Sequence, residues 1–403
     1  MPIKPKFPRY LLNKSRHERV VYFKGCWAAH MNIKRAKEEI MTLIREPANV
    51  GIIHLVGPTG VGKSTLLQHI IKTVYEEALP ELEKRPGWIP AAYILAENPQ
   101  NGVYDWTRHF IQTMESVQEV LIERKIWVPD HYQKEMELMS KRANSFPKAV
   151  RQAAQKALKN RSCGLMIVDD AHYIGKRRSG EGLINQADTI KSVADQSETL
   201  HLLAGTYDLL PLRNLNGQLG RRSSTVVFRN YKYKDREDVS AFIGVLKYFL
   251  AHLPLAETPD FSEHWEFCYA LSADCVGVLK DWFVRSLDAA IVQNDGALTF
   301  ELFKTCQPSP SVVSQIAEEI SRGEALLSEE NENTSYAALR MQLGMNGGRQ
   351  KSGQAKAEET DQGDSKHASK KSESAALNGG KKKRDKIEAN PRRYPVGTNG
   401  NAL

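Results

Sequence analysis

Eight consecutive residues, Gly57-Pro58-Thr59-Gly60-Val61-Gly62-Lys63-Ser64, carry glycine, lysine and a hydroxyl at the spacing G-x4-G-K-S. That pattern suits the wrapping of a nucleotide's β- and γ-phosphates by consecutive backbone N–H groups, which needs a turn that tolerates glycine conformations. Lys63 would neutralise phosphate charge, and Ser64, followed by Thr65, would supply a hydroxyl to Mg²⁺. ATP and Mg²⁺ are the expected cofactors, and ATP hydrolysis the expected reaction. The complementary half of such a site is Leu165-Met166-Ile167-Val168-Asp169-Asp170, an apolar run that delivers two carboxylates at its end. Asp169 is the expected Mg²⁺ partner, through water. Asp170 stands where many such ATPases carry a glutamate that polarises the attacking water. It is one methylene shorter, so slow turnover is expected.

Further residues fit the same chemistry but also have plainer readings. Thr206, after the run Leu200 to Ala204, could place its hydroxyl near the γ-phosphate, or serve as a turn residue. Arg221 and Arg222 precede another apolar run, where an ATPase of a ring or filament presents an arginine to its neighbour's γ-phosphate; a solvated Arg pair is the alternative. Lys280, in Gly277-Val278-Leu279-Lys280, could sense phosphate from a lid, or be an ordinary exposed lysine. Two basic clusters could track a DNA backbone without reading bases: Lys176-Arg177-Arg178, and Lys141-Arg142 with Lys148, Arg151, Lys156 and Lys159. Either could equally be a solvated face. The run Lys381-Lys382-Lys383-Arg384 suits DNA or a partner protein.

Positioning these groups requires strands that end at the loops and helices that cover them. Gly51 to Val56 is almost continuously apolar, as a parallel strand covered on both faces should be. Ala91 to Ala96, Leu165 to Val168, Leu200 to Ala204 and Thr225 to Phe228 repeat that signal. Helical spacing occurs between about His30 and Arg45 and from Ser64 to Glu77. The stretch from Val103 to Arg161 reads as two or three helices broken near Pro129 and Pro147. Alternating strands and helices predict an α/β fold, a mainly parallel sheet flanked by helices. From Asp235 to about Asn294 only helical runs remain (Val239 to Leu250, Ser262 to Leu271, Gly277 to Ile291), the mark of a small helical lid domain. A further helix is expected around Ser311 to Leu327. Residues 1 to about 20 are Pro-rich and basic, an expected extended arm. Beyond about Met341, Gly, Ser, Asn and Lys dominate, so a disordered basic C-terminal tail is expected.

The hydrophobic fraction of 41% and charged fraction of 26% are those of a soluble protein. No run approaches a membrane span and no apolar signal-peptide core is present, so a cytoplasmic location is expected. The five cysteines form no CxxC pair, which argues against a zinc site or a disulfide framework. Of the net charge of +8, residues 341–403 hold +6, from 13 Lys and Arg against 7 Asp and Glu. The rest of the chain is close to neutral, so any nucleic-acid surface on it must be local.

Over about residues 20 to 300 the sequence resembles the AAA+ ATPases of transposition, the TnsC/TniB/IstB group, and the TnsC regulators most closely. The marks are the GPTGVGKST loop, LLAGTYDLL (Leu202 to Leu210), GQLGRRS (Gly217 to Ser223) and GVLKDW (Gly277 to Trp282). The resemblance implies an AAA+ P-loop NTPase: a core over 21–234, a lid over 235–330, an arm over 1–20 and a tail over 331–403. It implies head-to-tail rings or filaments of the chain around double-stranded DNA. These would link a TnsD/TniQ-like target selector, either a DNA-binding protein or part of a CRISPR complex, to a TnsB-like transposase with or without a TnsA-like subunit. Lys63, Ser64, Asp169 and Asp170 would bind or process ATP-Mg²⁺, Arg221 or Arg222 would act on a neighbour's nucleotide, and the tail would dock the transposase. A replication initiator or helicase loader, or a scaffold that scarcely hydrolyses ATP, would share the same core.

Overall fold

In the computed structural model the described residues are 3–99, 102–122, 145–176, 181–213, 221–293, 296–333 and 335–345. Five strands form one all-parallel sheet: β1 (Ile52–Val56), β2 (Ala91–Leu95), β3 (Leu165–Asp169), β4 (Leu200–Gly205) and β5 (Ser223–Val227). Their spatial order is β2-β3-β4-β1-β5, so β1 and its following loop stand between β4 and β5. Alternate residues of β1 go to opposite faces, Ile52 and Val56 into one core cluster and Ile53 and Leu55 into the other. Burial on both faces accounts for strands written as unbroken apolar runs rather than as alternation.

Helices close both faces. Helix α1 (Arg16–Gly25) belongs to the lid described below; on one face of the sheet lie α2 (Met31–Arg45) and α3 (Lys63–Leu82). These two bury Ile33, Ile40, Leu66, Leu67 and Ile70 against the Ile53 side. The other face is covered by α4 (Trp106–Ser116), α5 (Ser145–Asn160), the short α6 (His172–Gly175), α7 (Glu181–Ser197) and the short α8 (Leu210–Arg213). Met114, Val150, Leu158 and Ile190 pack there against Met166, Val168 and Leu203. Helix α5 begins two residues before Pro147, in the first turn, where proline removes no needed hydrogen bond. Pro129, Lys141 and Arg142 lie outside the described residues.

The helical region is a lid built from α9 (Arg236–His252), α10 (Trp265–Leu271), α11 (Val276–Gln293) and α12 (Phe300–Thr305). Its core is aromatic: Trp282 stacks on Phe303 at 4.2 Å between ring centroids and donates its indole N–H to the Phe303 carbonyl at 2.7 Å. Phe23 of α1 is fully buried in the same cluster.

The N-terminal residues differ from the extended arm expected of them. Phe7 and Leu11 are buried, and the Lys6 backbone N–H donates to the Ala251 carbonyl at 2.7 Å. Ser15 and Glu18 form a reciprocal capping box at the start of α1, and Arg16 bonds both oxygens of Asp288. The Lys6 N–H bond and Ile3, packed against the lid core, seat the segment on the lid. Past the lid, α13 (Pro310–Asn333) and α14 (Tyr336–Gln342) carry helix beyond residue 330, where the tail was expected to begin. The run Lys381 to Arg384 lies outside the described residues. Among the described residues, no helix is long and apolar enough to cross a membrane.

Candidate nucleotide site

The loop from Gly57 to Gly62 joins the C-terminal end of β1 to α3. Its turn depends on Gly62, whose φ of +110° lies in the left-handed region that side chains strain. The lid reaches the same loop through a second glycine. The Gly277 backbone N–H donates to the Gly60 carbonyl at 2.7 Å, and a Cβ on Gly277 would stand 2.5 Å from that oxygen.

Lys63, the first residue of α3, is buried, and its ammonium donates to the Gly57 and Pro58 carbonyls at 2.9 Å each. Burial pulls its pKa down, and the carboxylates of Glu319, Asp169 and Asp170 act against that pull. Asp169 closes β3 and is almost wholly buried. One of its oxygens accepts the Tyr93 hydroxyl at 3.0 Å and the other the Asp170 backbone N–H at 2.9 Å. Asp170 turns the chain with φ +52°, leaving its carboxylate partly exposed and 4.0 Å from Nδ1 of His172. That Nδ1 is buried and has no hydrogen-bond partner among the described residues, and burial holds the imidazole pKa below its ordinary value.

Thr206 lies at the end of β4, where its hydroxyl caps a short turn by accepting the Asp208 N–H at 3.4 Å. It also lines a cavity of about 650 Å³ with Thr59, His172, Lys176, Glu319 and Arg322. The structure therefore brings Thr59, Lys63, Asp169, Asp170 and Thr206 to the C-terminal edge of the sheet, where parallel α/β folds place their ligands. Sequence reading missed Tyr93, His172 and Glu319. His172 lies only two residues past Asp170 and could have been suspected, whereas Glu319 offered no local signal.

Residues 48–212 match the family model described as AAA domain. This segment is an AAA domain. No curated protein matches the sequence. Among solved structures the chain is similar to a Walker-type ATPase of Pyrococcus abyssi (16% identity, 77% of this chain and 83% of that one, TM-score 0.41). It is also similar to the ORC2 protein of Aeropyrum pernix (14% identity, 72% of each chain, TM-score 0.48). A third likeness is to domain III of the replication initiation protein DnaA from Thermotoga maritima (14% identity, 70% and 94%, TM-score 0.37). With all TM-scores below 0.5, the family match carries the assignment.

Around the AAA domain the remaining candidates separate. Lys280, expected at the phosphate from the lid side, is a correction: its ammonium donates to the Lys24 carbonyl at 2.6 Å. At 100° per residue it lies far round α11 from Val278, whose methyl would stand 2.6 Å from a Cβ on Gly60. Val278, not Lys280, faces the loop. Arg221 is exposed and Arg222 pairs with Asp195 of α7 at 2.7 Å. Both precede β5, and the Arg222 carbonyl accepts the Gly51 N–H at 2.8 Å, so they sit at the end of the sheet away from this chain's own phosphate loop.

Of the basic residues, Lys176 bonds Asn98 at 3.2 Å, sits over the Tyr173 ring and lines the site cavity. Lys148 and Lys156 are exposed on α5, and Arg151 is partly buried, with its pKa lowered by desolvation. Lys159 is engaged by Glu198 at 2.5 Å. Arg177 and Arg178 lie outside the described residues.

The donor set of the AAA domain fits a nucleotide phosphate. The Thr59 backbone N–H already takes an anionic oxygen, the Glu319 carboxylate at 3.1 Å, and Lys63 presents its ammonium beside it. For Mg²⁺ the fitting groups are the exposed Ser64 hydroxyl and Asp169. Among the described residues no cluster of three or more His, Cys, Asp or Glu could hold a metal alone.

Proposed function

We propose that this chain is an ATP-dependent AAA+ regulator of DNA transposition, which assembles on duplex DNA and couples target selection to a transposase. The observation that carries the nucleotide part is the buried Lys63 ammonium between the loop carbonyls and the carboxylates at the end of β3. The transposition part is supported by the resemblance in GPTGVGKST, LLAGTYDLL, GQLGRRS and GVLKDW, in that order.

In this reading Lys63 and the N–H groups at the start of α3 bind the β- and γ-phosphates. Bound Mg²⁺ would neutralise developing charge between them. Asp169, held by the Tyr93 hydroxyl and the Asp170 N–H, cannot swing away from the metal position. Asp170 orients the attacking water and accepts its proton, with His172 beside it. Thr206 lies across the same cavity. Arg221 or Arg222, at the far end of the sheet, would reach a neighbouring copy's γ-phosphate, which makes a head-to-tail oligomer the working form. The basic tail docks the transposase. The short Asp170 side chain favours slow hydrolysis, which leaves assembly rather than turnover as the main use of ATP.

Electron microscopy of the purified protein with duplex DNA and a non-hydrolysable ATP analogue tests this. Rings or filaments that require both ligands are expected. A protein that stays monomeric on DNA with the analogue refutes the assembly reading.

A further inference from the structure

Helix α13 runs across the mouth of the phosphate loop and is pinned at several points. Ile316 and Ile320, one turn apart, bury against Ala273 and Cys275 of the lid. Gly323 packs so closely on Tyr207 that a Cβ there would stand 2.1 Å from the ring. Glu324 pairs with Lys232 at 3.6 Å, and Leu327 packs against the core cluster that holds Met166, Val168 and Leu203. The helix thus spans from the lid to the strand end that carries Thr206.

A second stripe of α13, at spacing i, i+4, i+7, faces the site cavity: Gln315, Glu319 and Arg322. Within it the Glu319 carboxylate accepts the Thr59 backbone N–H at 3.1 Å. It is also the leading favourable charge on the Lys63 ammonium, ahead of Asp169 and Asp170. A carboxylate that takes a loop N–H and stands near enough to the loop lysine to favour its charge occupies one hydrogen bond a phosphate needs and part of the field it would feel. Two anions cannot share them without repulsion.

We propose that α13 is a displaceable strap, in which Glu319 holds the anion position of the phosphate loop until a nucleoside triphosphate takes it. This rests on the reading of residues 57–64 as a nucleotide site. Triphosphate binding must expel the carboxylate, which frees one of the contacts tying α13 to the core. Nucleotide occupancy is thereby coupled to the seating of the helix, and the affinity of the site is set partly by a side chain remote in sequence from the loop.

The test uses the full chain with a fluorescent, non-hydrolysable ATP analogue and Mg²⁺, comparing wild type, Glu319→Gln, Glu319→Ala and the exposed neighbour Glu318→Gln. A hydrogen bond to a charged group has a net worth equivalent to about tenfold in affinity, so both Glu319 variants should bind the analogue about tenfold more tightly. Glu318→Gln should bind as wild type does. Hydrogen exchange at residues 315–327 should speed up in wild type when the analogue is added, and be faster in Glu319→Gln without it. Far-UV circular dichroism checks that the variants fold.

Equal or weaker binding by both Glu319 variants, with wild type binding normally, overturns the strap and leaves the nucleotide site standing. So does analogue-induced protection of residues 315–327, which would mean a helix that closes on the nucleotide. Binding by none of the four proteins overturns the nucleotide reading, and the strap with it.

Discussion

Among the described residues, His30, His54, His109 and His201 are buried without charge, and they predict a loss of stability in mild acid. His30, His54 and His201 are each held down to about 4 and His109 to about 3, in each case chiefly by burial. The Nδ1 atom of His54 has no hydrogen-bond partner among the described residues, and His201 further disfavours protonation of His109. Because the folded values lie below the unfolded value of 6.5, the unfolded chain takes up protons first. Stability is therefore complete above pH 6.5 and falls as pH drops from there toward about 4. At pH 5.5 each histidine costs somewhat more than ~1 kcal/mol, together roughly 5 to 6. Asp274 acts in the opposite sense: burial pushes it up to about 7, so the folded state gains its proton between pH 7.5 and 5.5. That restores about 2 kcal/mol, for a net loss of roughly 3 to 4 kcal/mol and a fall in melting temperature of roughly 5 to 10 °C. Urea titrations and thermal melts at pH 7.5, 6.5 and 5.5 measure this, since ordinary carboxylates do not titrate in that window. Asp274→Asn should steepen the loss toward the full histidine figure, and His54→Leu should flatten it. A stability that is level between pH 7.5 and 5.5 in all three proteins would refute the reasoning.

Three further outcomes are expected at the site. Lys63→Ala removes the ammonium that stands among Glu319, Asp169 and Asp170 at the loop, so ATP binding should fall below detection in titration calorimetry and DNA-dependent assembly should go with it; filaments of this variant with ATP would contradict the role given to Lys63. Asp170→Asn keeps the shape but not the base, so nucleotide affinity should hold while steady-state phosphate release drops by roughly 10²-fold or more, within the range set for general bases; a wild-type rate would remove Asp170 from the mechanism. Truncation after residue 345 should leave ATP and DNA binding intact and lower insertion frequency in a transposition assay, an unchanged frequency counting against the docking tail.

The phosphate loop, the strand that ends in Asp169 and Asp170, and the run of lid helices are legible in the sequence because each is a local pattern. Glycines at a fixed spacing, an apolar run ending in carboxylates and apolar residues at helical intervals all follow from interactions within a few residues. Strands β1, β3 and β4 also follow from composition, since a strand buried on both faces cannot alternate. Lys280 shows where that stops. Its place near the start of a lid helix is local information, but which side of α11 meets the loop depends on how the lid packs, and packing sends Val278 to Gly60 and Lys280 to the Lys24 carbonyl.

The N-terminal residues make the same point through burial. Prolines and lysines mark the stretch as extended, yet Phe7 and Leu11 are buried, and Ile3 and the Lys6 N–H meet a lid that lies far along the chain. Glu319 is the plainest case, a charged residue in a polar helical stretch with nothing nearby to mark it. Only the crossing of α13 over the loop brings its carboxylate to the Thr59 N–H, a contact between residues 260 positions apart. The sequence by itself determined what the site can bind, because phosphate chemistry demands a contiguous loop. Only the tertiary structure decided what else stands in that site, because a side chain's neighbours across the chain are set by the packing of helices on the sheet.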